Sequence, residues 1–384
     1  MRISIIGCGQ LSRMLALAGW PMGFEFSFLA DPRESTRCIS GLGNTVTFAN
    51  GMSAEEIYKA LGQPDVITIE REAVDVPLLK ELKAFCPVYP DPDIAWTIQN
   101  RHREKSLVHE LGLATSPWSR IQGEESLPDA IEAIGGLPVV IKSTEDGYDG
   151  HNQWVLDTPD QIAAFESDRK LILKGESKHK HSLLEWIVEK KISFEREISV
   201  IGARNVDGDI TSYIPGENVH QNGILHTTIV PAPKLSETIR AKAENYISTL
   251  LEQTGYAGVL AVECFVVGDD LLINELAPRV HNSGHWTMDG ADTSQFENHV
   301  RAIANLPLGS TQQYGVAGMH NLLGKTLSDD TTPPTALVKP KQFLHWYGKT
   351  SRPGRKIGHV NVLASSQEEL AEKLESVRKQ WFDA

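Results

Sequence analysis

Glu263 and Glu275 are the two side chains of this sequence whose spacing most directly suggests chemistry. They lie in two strand-like runs, Val259–Val267 and Leu271–Leu276, and a hairpin turn centred on Asp269 places them opposite each other. Two carboxylates facing across a strand pair repel, and a divalent cation between them turns this repulsion into coordination. Mg²⁺ suits such a pair because it takes few protein carboxylates and completes its shell with substrate phosphate and water. The pairing predicts a magnesium–nucleotide site, the alternative being two carboxylates turned into solvent.

The loop that follows Glu275 is crowded with hydrogen-bond donors. It contains Arg279, His281, Asn282, Ser283 and His285. Donors of this kind beside a bound cation suit a small anion. We call residues 279–286 the anion loop and expect it to hold an anionic reactant.

A lysine near the middle of the chain has the position of a phosphate ligand. Lys142 follows the apolar strand Leu137–Ile141 and precedes a loop that contains Gly147 and Gly150. A point charge next to free backbone N–H groups can grip a phosphate. The Walker A spacing is absent, so the loop is not a P-loop. The other interpretation is a surface lysine beside a hairpin loop.

Four cations are concentrated near the C-terminus of an otherwise acidic chain. Two strand-like runs, Phe343–Tyr347 and His359–Leu363, flank residues 348–358, which we call the basic turn. The basic turn carries Lys349, Arg352, Arg355 and Lys356. Arginine suits bidentate phosphate contacts, so the turn is either a phosphomonoester clamp or a solvated hairpin tip.

The elements that must position these groups begin with an α/β unit at residues 1–95. A strand at Arg2–Ile6 runs through Gly7 and Gly9 into a helix, as in a dinucleotide-binding fingerprint, but Ser12 stands at the third glycine position. The start of that helix stays a candidate anion site. A later strand, Val66–Ile69, leads into two further carboxylates, Glu70 and Glu72.

Composition excludes several classes of protein. The chain has 384 residues, 41% hydrophobic and 23% charged, which predicts a globular protein of two or three domains. A net charge of −13 argues against nucleic acid or an anionic membrane as the main partner. Four dispersed cysteines indicate neither a zinc site nor a disulfide framework, and no apolar run approaches the roughly 20 residues of a membrane span. We expect a cytoplasmic location.

Six stretches together resemble the N5-carboxyaminoimidazole ribonucleotide synthetases, ATP-grasp enzymes of purine biosynthesis. They are GCGQLSRML (7–15), TIERE (68–72), KSTEDGYDGHNQW (142–154), VECF (262–265), INELAPRVHNSGHW (273–286) and HWYGKTSRPGRKIGHVNV (345–362). The fifth stretch and RPGRKIGH are the most specific, and the set spans nearly the whole chain.

The resemblance implies an α/β fold, α+β overall, in three parts. These are a Rossmann-like pre-ATP-grasp domain (1–100), a split ATP-grasp domain (101–305, with subdomains of about 101–183 and 184–305) and a small β-rich C-terminal domain (306–384). It implies carboxylation of 5-aminoimidazole ribonucleotide by ATP and bicarbonate through carboxyphosphate, with Mg²⁺ as cofactor. It further implies a homodimer, and a separate mutase that acts on the product.

The resemblance also assigns roles to individual residues. Glu263 and Glu275 would hold the metal, and Arg279, His281 and Asn282 would hold bicarbonate and its phosphorylated form. The ATP site would comprise Arg101, Lys142, the loop Gly147, Tyr148, Asp149, Gly150, His151, Asn152 and Gln153, the adenine segment Glu189, Lys190, Lys191 and Ile192, and Glu197, His220, Asn274 and Glu275. The imidazole nucleotide would meet Tyr148, Asp149 as proton acceptor, and Glu72 or Glu70. Its 5′-phosphate would meet Lys349, Arg355 and Lys356.

The phosphate loop departs from the family pattern YDGRGQ. His151 and Asn152 replace an arginine and a glycine, so we expect a weaker electrostatic contact from this loop. Two other functions are left open by the sequence: another ATP-grasp carboxylate–amine ligase, and a nucleotide-binding regulator that has lost catalysis.

Overall fold

The structure is a computed structural model that describes residues 1–49, 51–145, 152–174, 184–328 and 332–382. Its strands form three sheets, of five, four and nine strands. We call them the parallel sheet, the four-stranded sheet and the large sheet. No helix of the described residues is long and apolar enough to cross a membrane.

The parallel sheet occupies the first quarter of the chain and has the strand order β3-β2-β1-β4-β5. Its elements are β1 (Arg2–Ile6), α1 (Gln10–Gly19), β2 (Glu25–Ala30), β3 (Asn44–Thr47), α2 (Ala54–Ala60), β4 (Val66–Ile69), α3 (Val76–Leu82), β5 (Val88–Tyr89) and α4 (Pro92–Ile98). Parallel strands covered on both faces read as continuous apolar runs, which is why β1 and β4 were predicted to the residue. The Rossmann-like unit expected from the sequence is confirmed.

A single helix over residues 97–111 is the natural interpretation of the sequence there, and it is wrong. The chain forms α4 and then α5 (Arg101–Glu110), with a break at Asn100. The Asn100 side chain accepts hydrogen bonds from the backbone N–H groups of His102 and Arg103, so it caps a new helix. The break places Arg101 in the first turn of α5, where its backbone N–H donates to the carbonyl of Thr144 at 2.8 Å.

The four-stranded sheet is antiparallel, in the order β6-β9-β7-β8. Its strands and the helices between them are β6 (Trp118–Gln122), α6 (Leu127–Ala133), β7 (Val139–Ser143), β8 (Gln153–Leu156), α7 (Pro159–Leu173) and β9 (Glu185–Lys190). Its core contains Phe165 and the fully buried Trp186, which meet edge to face. Lys142 lies within β7, paired with Gln153 on one side and Ile187 on the other.

The large sheet is antiparallel and follows the order β15-β14-β10-β12-β13-β16-β18-β17, with β11 paired to β10. The strands of its first part and the helices that accompany them are β10 (Arg196–Arg204), β11 (Ile210–Ser212), β12 (Gly216–Gln221), β13 (Ile224–Val230), α8 (Glu237–Gln253), β14 (Gly258–Val267), β15 (Asp270–Ala277), α9 (Thr287–Gly290) and α10 (Gln295–Ile303). Residues 215–223 read as a turn in the sequence, but they contain β12, which is paired on both edges.

The C-terminal strands extend the large sheet. They are β16 (Val316–Leu323), β17 (Gln342–Trp346) and β18 (Lys356–Ala364), followed by α11 (Gln367–Phe382). Strand β13 pairs with β16 over four residues, so the β-rich C-terminal section shares one sheet with the strands that carry Glu263 and Glu275. The basic turn therefore has a fixed position relative to that carboxylate pair.

Candidate active site

The carboxylate pair predicted from the sequence is present. Glu263 of β14 is the register partner of Glu275 of β15. The prediction of a turn centred on Asp269 is wrong, however, because Val267 pairs with Asp270 across a two-residue turn. A β-bulge after Glu263 leaves Asn274 as an extra residue and restores the register that brings the carboxylates together. The bulge thus creates the pair.

The electrostatics of the pair fit a bound cation. Burial, followed by the charge of Glu275, raises the pKa of Glu263 to about 7. Within the described residues, no group of three or more His, Cys, Asp or Glu side chains is placed to hold a metal, so an all-protein cage is absent there. A pair of carboxylates with room for phosphate and water is the donor set that suits Mg²⁺.

Donors surround both carboxylates. Arg101 Nη1 lies 3.1 Å from Glu275 Oε2, and His281 Nε2 lies 3.6 Å from Glu263 Oε1. His220, in β12, contacts the Glu197 carboxylate through Nδ1. Burial opposes protonation of His220, but the hydrogen bond to Glu197 and the charge of Glu263 raise its pKa. Six predicted site residues, from four strands, one helix and the anion loop, therefore converge on one place.

Lys142 belongs to a buried ion-pair network that links the four-stranded sheet to the hairpin. Its Nζ lies 2.5 Å from Glu189 Oε2 and 3.4 Å from Asn274 Oδ1. The other oxygen of Glu189 lies 2.9 Å from Lys105 Nζ, which also donates to Thr115 Oγ1 at 2.6 Å. Burial disfavours the ionised form of Glu189, but the two lysines outweigh it and lower its pKa. Sequence reasoning missed Lys105 because it is one of several charged residues in a mostly polar helix.

The lysine side chains of the segment 189–192 are held by other groups of the protein. Lys190 Nζ donates to the carbonyls of Gly135, Gly136 and Leu137 at 2.9–3.1 Å. Lys191 Nζ lies 2.9 Å from Asp157 Oδ1. Both lysine side chains are thus engaged by protein groups at the end of β9, next to Ile192.

Only part of the phosphate loop lies within the described residues. Asn152 adopts a φ of 54°, the left-handed region that asparagine tolerates, and its carbonyl accepts from the Ser143 N–H at 3.1 Å. Gln153 begins β8. Gly147, Tyr148, Asp149, Gly150 and His151 lie outside the described residues.

The two carboxylates after β4 have different surroundings. Glu72 forms a bidentate pair with Arg279, through Nε at 2.7 Å and Nη2 at 3.1 Å. Burial opposes ionisation of Glu72, but the Arg279 guanidinium lowers its pKa to about 2. Glu72 therefore connects the parallel sheet to the anion loop.

Glu70 instead fills the start of α1. It accepts the N–H groups of Gly9 and Ser12 at 2.7 and 3.0 Å. A Cβ on Gly7 or Gly9 would lie 2.4 or 2.8 Å from atoms of Glu70. The glycines therefore make room for a carboxylate of the protein itself, and the expectation of an anion site at this helix start is wrong.

The anion loop is held by residues that the sequence did not reveal. The Gln295 side chain accepts the His281 N–H at 2.9 Å and donates to the His281 carbonyl at 2.6 Å. Asn282 and Asn321 exchange two amide hydrogen bonds, at 3.1 and 2.6 Å. No pattern in the sequence marks either residue, because Gln295 is one of several polar residues in α10 and Asn321 follows another polar residue, His320, in β16.

His281 is set up as a neutral donor. Burial, followed by the charges of Arg279 and Lys356, lowers its pKa well below the ordinary range. The Ser283 N–H donates to Nδ1 at 3.3 Å, so the proton of the neutral ring is on Nε2. That N–H points toward the Glu263 side of the site, where it can donate to an anion.

A cavity of about 190 Å³ lies between the parallel sheet and the basic turn. We call it the basic-turn cavity. It is lined by Gly9, Gln10, Glu34, Ser35, Arg37, Cys38, Glu70, Lys349, Thr350 and Arg355. Burial lowers the pKa of Lys349, whose Nζ contacts Gln10 Oε1. Lys356 does not line the cavity, but its charge acts both on Lys349, which does, and on His281 of the anion loop.

Comparison with known proteins agrees with this arrangement. Family models match a ribonucleotide synthetase preATP-grasp domain at residues 1–99, an ATP-grasp domain at 106–296 and a phosphoribosylaminoimidazole carboxylase C-terminal domain at 317–373. The chain is 39% identical over 375 residues to the N5-carboxyaminoimidazole ribonucleotide synthase of Vibrio cholerae, covering 97% of this chain and 94% of that protein.

Solved structures give the same result. The crystal structure of N5-carboxyaminoimidazole ribonucleotide synthetase from Thermus thermophilus superposes with a TM-score of 0.86 at 38% identity, covering 100% of this chain and 99% of that one. N5-carboxyaminoimidazole synthase from Aspergillus clavatus, in complex with ADP and 5-aminoimidazole ribonucleotide, gives 0.83 at 26% identity, covering 100% and 99%. The fold, the motifs and the full-length similarity agree, and the chain belongs to the N5-carboxyaminoimidazole ribonucleotide synthase family of ATP-grasp ligases.

Proposed function

We propose that this protein carboxylates the exocyclic amine of 5-aminoimidazole ribonucleotide. The reaction consumes ATP and bicarbonate and yields N5-carboxyaminoimidazole ribonucleotide, ADP and phosphate, a step of purine biosynthesis. The observation that carries the proposal is the register-paired Glu263 and Glu275 beside the anion loop, in a chain of this family.

The order of bond changes follows from the reactants. A bicarbonate oxygen attacks the γ-phosphorus, ADP leaves, and the product is carboxyphosphate. The amine nitrogen then takes the carboxyl carbon, the phosphate leaves with the C–O bonding electrons, and the amine proton passes to a base. Asp149 is the proposed base, and Tyr148 the proposed contact to the imidazole.

The nucleotide is assigned to the groups around Lys142. Lys142 and Arg101 face the hairpin and would contact the phosphates together with the loop from Gly147 to Gln153. The segment 189–192 would line the adenine, and Glu197, His220 and Asn274 would complete the site. Glu263 and Glu275 would hold Mg²⁺, which when bound neutralises charge on the transferring phosphoryl group.

Bicarbonate and carboxyphosphate are assigned to the anion loop. Arg279 supplies a charge that Glu72 orients, His281 supplies the Nε2–H donor, and Asn282 is fixed by Asn321. These groups bind and orient the oxyanion where it faces the γ-phosphorus. Because other side chains already hold these donors in place, the donors need not reorient as negative charge develops on the oxyanion. Such preorganisation is the main source of electrostatic stabilisation in enzymes.

The remaining proposals rest on family resemblance. The chain would divide into domains at about residues 100 and 305, act as a cytoplasmic homodimer and pass its product to a separate mutase. Lys349 and Arg355 would bind the 5′-phosphate of the substrate in the basic-turn cavity.

ADP release tests the proposal when each reactant is omitted in turn. We expect turnover that requires bicarbonate and 5-aminoimidazole ribonucleotide together. Turnover with a different amine would indicate another ATP-grasp ligase. ATP binding without any turnover would indicate a regulator, and either result would contradict the proposal.

A further inference from the structure

The basic-turn cavity has two walls that come from distant parts of the chain. One wall is the basic turn, with Lys349, Thr350 and Arg355. The other is formed by the parallel sheet and includes Arg37. A ligand in the cavity would thus touch both walls at once.

Two cations of the basic turn lack acidic partners. In the part of the chain that the structure describes, neither Lys349 nor Arg355 forms an ion pair with a carboxylate: Lys349 contacts the Gln10 amide, and Arg355 donates to the Thr350 carbonyl at 2.9 Å. The charge of Glu70 acts on Lys349 but forms no ion pair with it. Partly buried cations without an ion pair are costly, so this wall favours an anionic ligand.

Arg37 adds a third positive charge from the opposite wall. Its Nη1 donates to Thr350 Oγ1 at 3.4 Å, which brings the guanidinium to the basic turn. Its backbone is anchored, because the next two residues, Cys38 and Ile39, are buried and Arg13 Nη1 donates to the Cys38 carbonyl at 3.1 Å. The side chain is exposed at the rim while its base is fixed.

The charge distribution decides how a phosphoribosyl group would lie. Glu34 and Glu70 line the same cavity and repel a phosphate, so the phosphate belongs at the side of Arg37, Lys349 and Arg355. A phosphomonoester carries about −1.5 to −2 charges on three acceptor oxygens, which matches three cations from different directions. The carboxylates then face neutral hydroxyl groups, for which they are acceptors.

We propose that Arg37 is a third phosphate-binding residue, which selects 5′-phosphorylated ribosyl substrates and ties the parallel sheet to the basic turn when substrate binds. The inference rests on the proposed function, because it assigns Arg37 to the substrate phosphate of that reaction. It adds a residue outside the motifs that mark the family in this sequence.

The test compares Arg37→Gln with a matched control, Arg33→Gln. Arg33 lies four residues away, its side chain is 93% exposed, and it does not line the cavity. The readouts are KM for 5-aminoimidazole ribonucleotide, KM for ATP, and the calorimetric Kd for ribose 5-phosphate. Arg37→Gln should raise KM for the imidazole nucleotide and Kd for ribose 5-phosphate about 10-fold, the lower end for a charged hydrogen bond, and leave KM for ATP unchanged. Arg37→Lys should recover part of the loss.

The readouts separate this inference from the proposed function. If the wild type turns over as proposed and Arg37→Gln has unchanged constants, or weakens ATP equally, the Arg37 assignment is wrong and the function stands. If the wild type needs no imidazole nucleotide, the proposed function is wrong. Even in that case, weaker binding of ribose 5-phosphate by Arg37→Gln would by itself support the phosphate contact, because binding does not depend on turnover.

Discussion

Replacing Lys105 with methionine should destabilise the protein far more than its place in a polar helix suggests. Methionine keeps the length of the side chain and removes the ammonium. Glu189, 4% exposed, then retains only Lys142 as an ion-pair partner, and the contacts of Lys105 with Thr115 and the Ile273 carbonyl disappear. Removing one partner of a buried ion pair costs roughly 3–5 kcal/mol. Because Lys142 stays 2.5 Å from Glu189, we expect the lower end, about 3 kcal/mol.

The dependence on pH has a definite sign. The two lysines hold the folded-state pKa of Glu189 below its ordinary value, so their contribution is fully present above the pKa of an unfolded glutamate, about 4.3. It is lost as the pH falls through the lower folded-state value. The difference between wild type and Lys105→Met should therefore be largest near neutral pH and shrink below about pH 4.

The free energy of unfolding in urea, monitored by tryptophan fluorescence, measures the effect. Lys59→Met is the matched control, because Lys59 also lies in a helix and pairs with Glu55 at 2.7 Å, but with 62% of its side chain exposed. We expect the control to change the free energy of unfolding by less than about 0.5 kcal/mol. Equal effects of the two substitutions at pH 7 would refute the buried network. In active protein, Lys105→Met should also raise KM for ATP, since Lys142 is then the sole cation on Glu189.

Two further predictions concern charges between the parallel sheet and the large sheet. Glu72→Gln should lower stability at pH 7 by about 1–2 kcal/mol, a charged hydrogen-bond value discounted for the 36% exposure of Glu72, through its lost pairing with Arg279. That difference should vanish in urea unfolding as the pH falls from the ordinary 4.5 to about 2, and a constant difference would contradict it. Lys349→Ala or Arg355→Ala should raise KM for the imidazole nucleotide roughly 10- to 100-fold. Lys356→Ala should raise that KM less than either of these, because Lys356 does not line the cavity, and should also lower kcat, because its charge acts on His281 of the anion loop. If Lys349→Ala, Arg355→Ala and Lys356→Ala changed KM and kcat identically, this difference in roles would be refuted.

The bounds of helices and strands could be predicted best where a single physical signal, such as an apolar run, defines the element. Strands β1 and β4 are apolar runs covered on both faces, and their bounds followed directly. The break at Asn100 was missed because the helical pattern continues through it, and only the capping geometry shows that a new helix starts. The turn after Val267 was misplaced because a bulge changes register without any mark in the hydrophobic pattern.

The candidate site shows the same limit. Residues with a charge and a motif, such as Glu263 and Arg279, could be named in advance. Lys105 and Gln295 could not, since their importance lies in what they contact after folding. Glu70 is predicted only as an alternative to Glu72 for the substrate contact, and its hydrogen bonds to the start of α1 could not be foreseen, because they depend on a close approach to Gly9 that no spacing encodes.

The most direct test of the account is ADP release by Glu263→Gln, Glu275→Gln and the control Asp270→Asn, each with bicarbonate, 5-aminoimidazole ribonucleotide and a titration of Mg²⁺. Asp270 lies in the same hairpin with 78% of its side chain exposed. The account predicts that both glutamine variants stay folded and lose turnover, at limiting Mg²⁺ first, while Asp270→Asn behaves as the wild type. Turnover near the wild-type rate in both glutamine variants at limiting Mg²⁺ would contradict the assignment of the carboxylate pair.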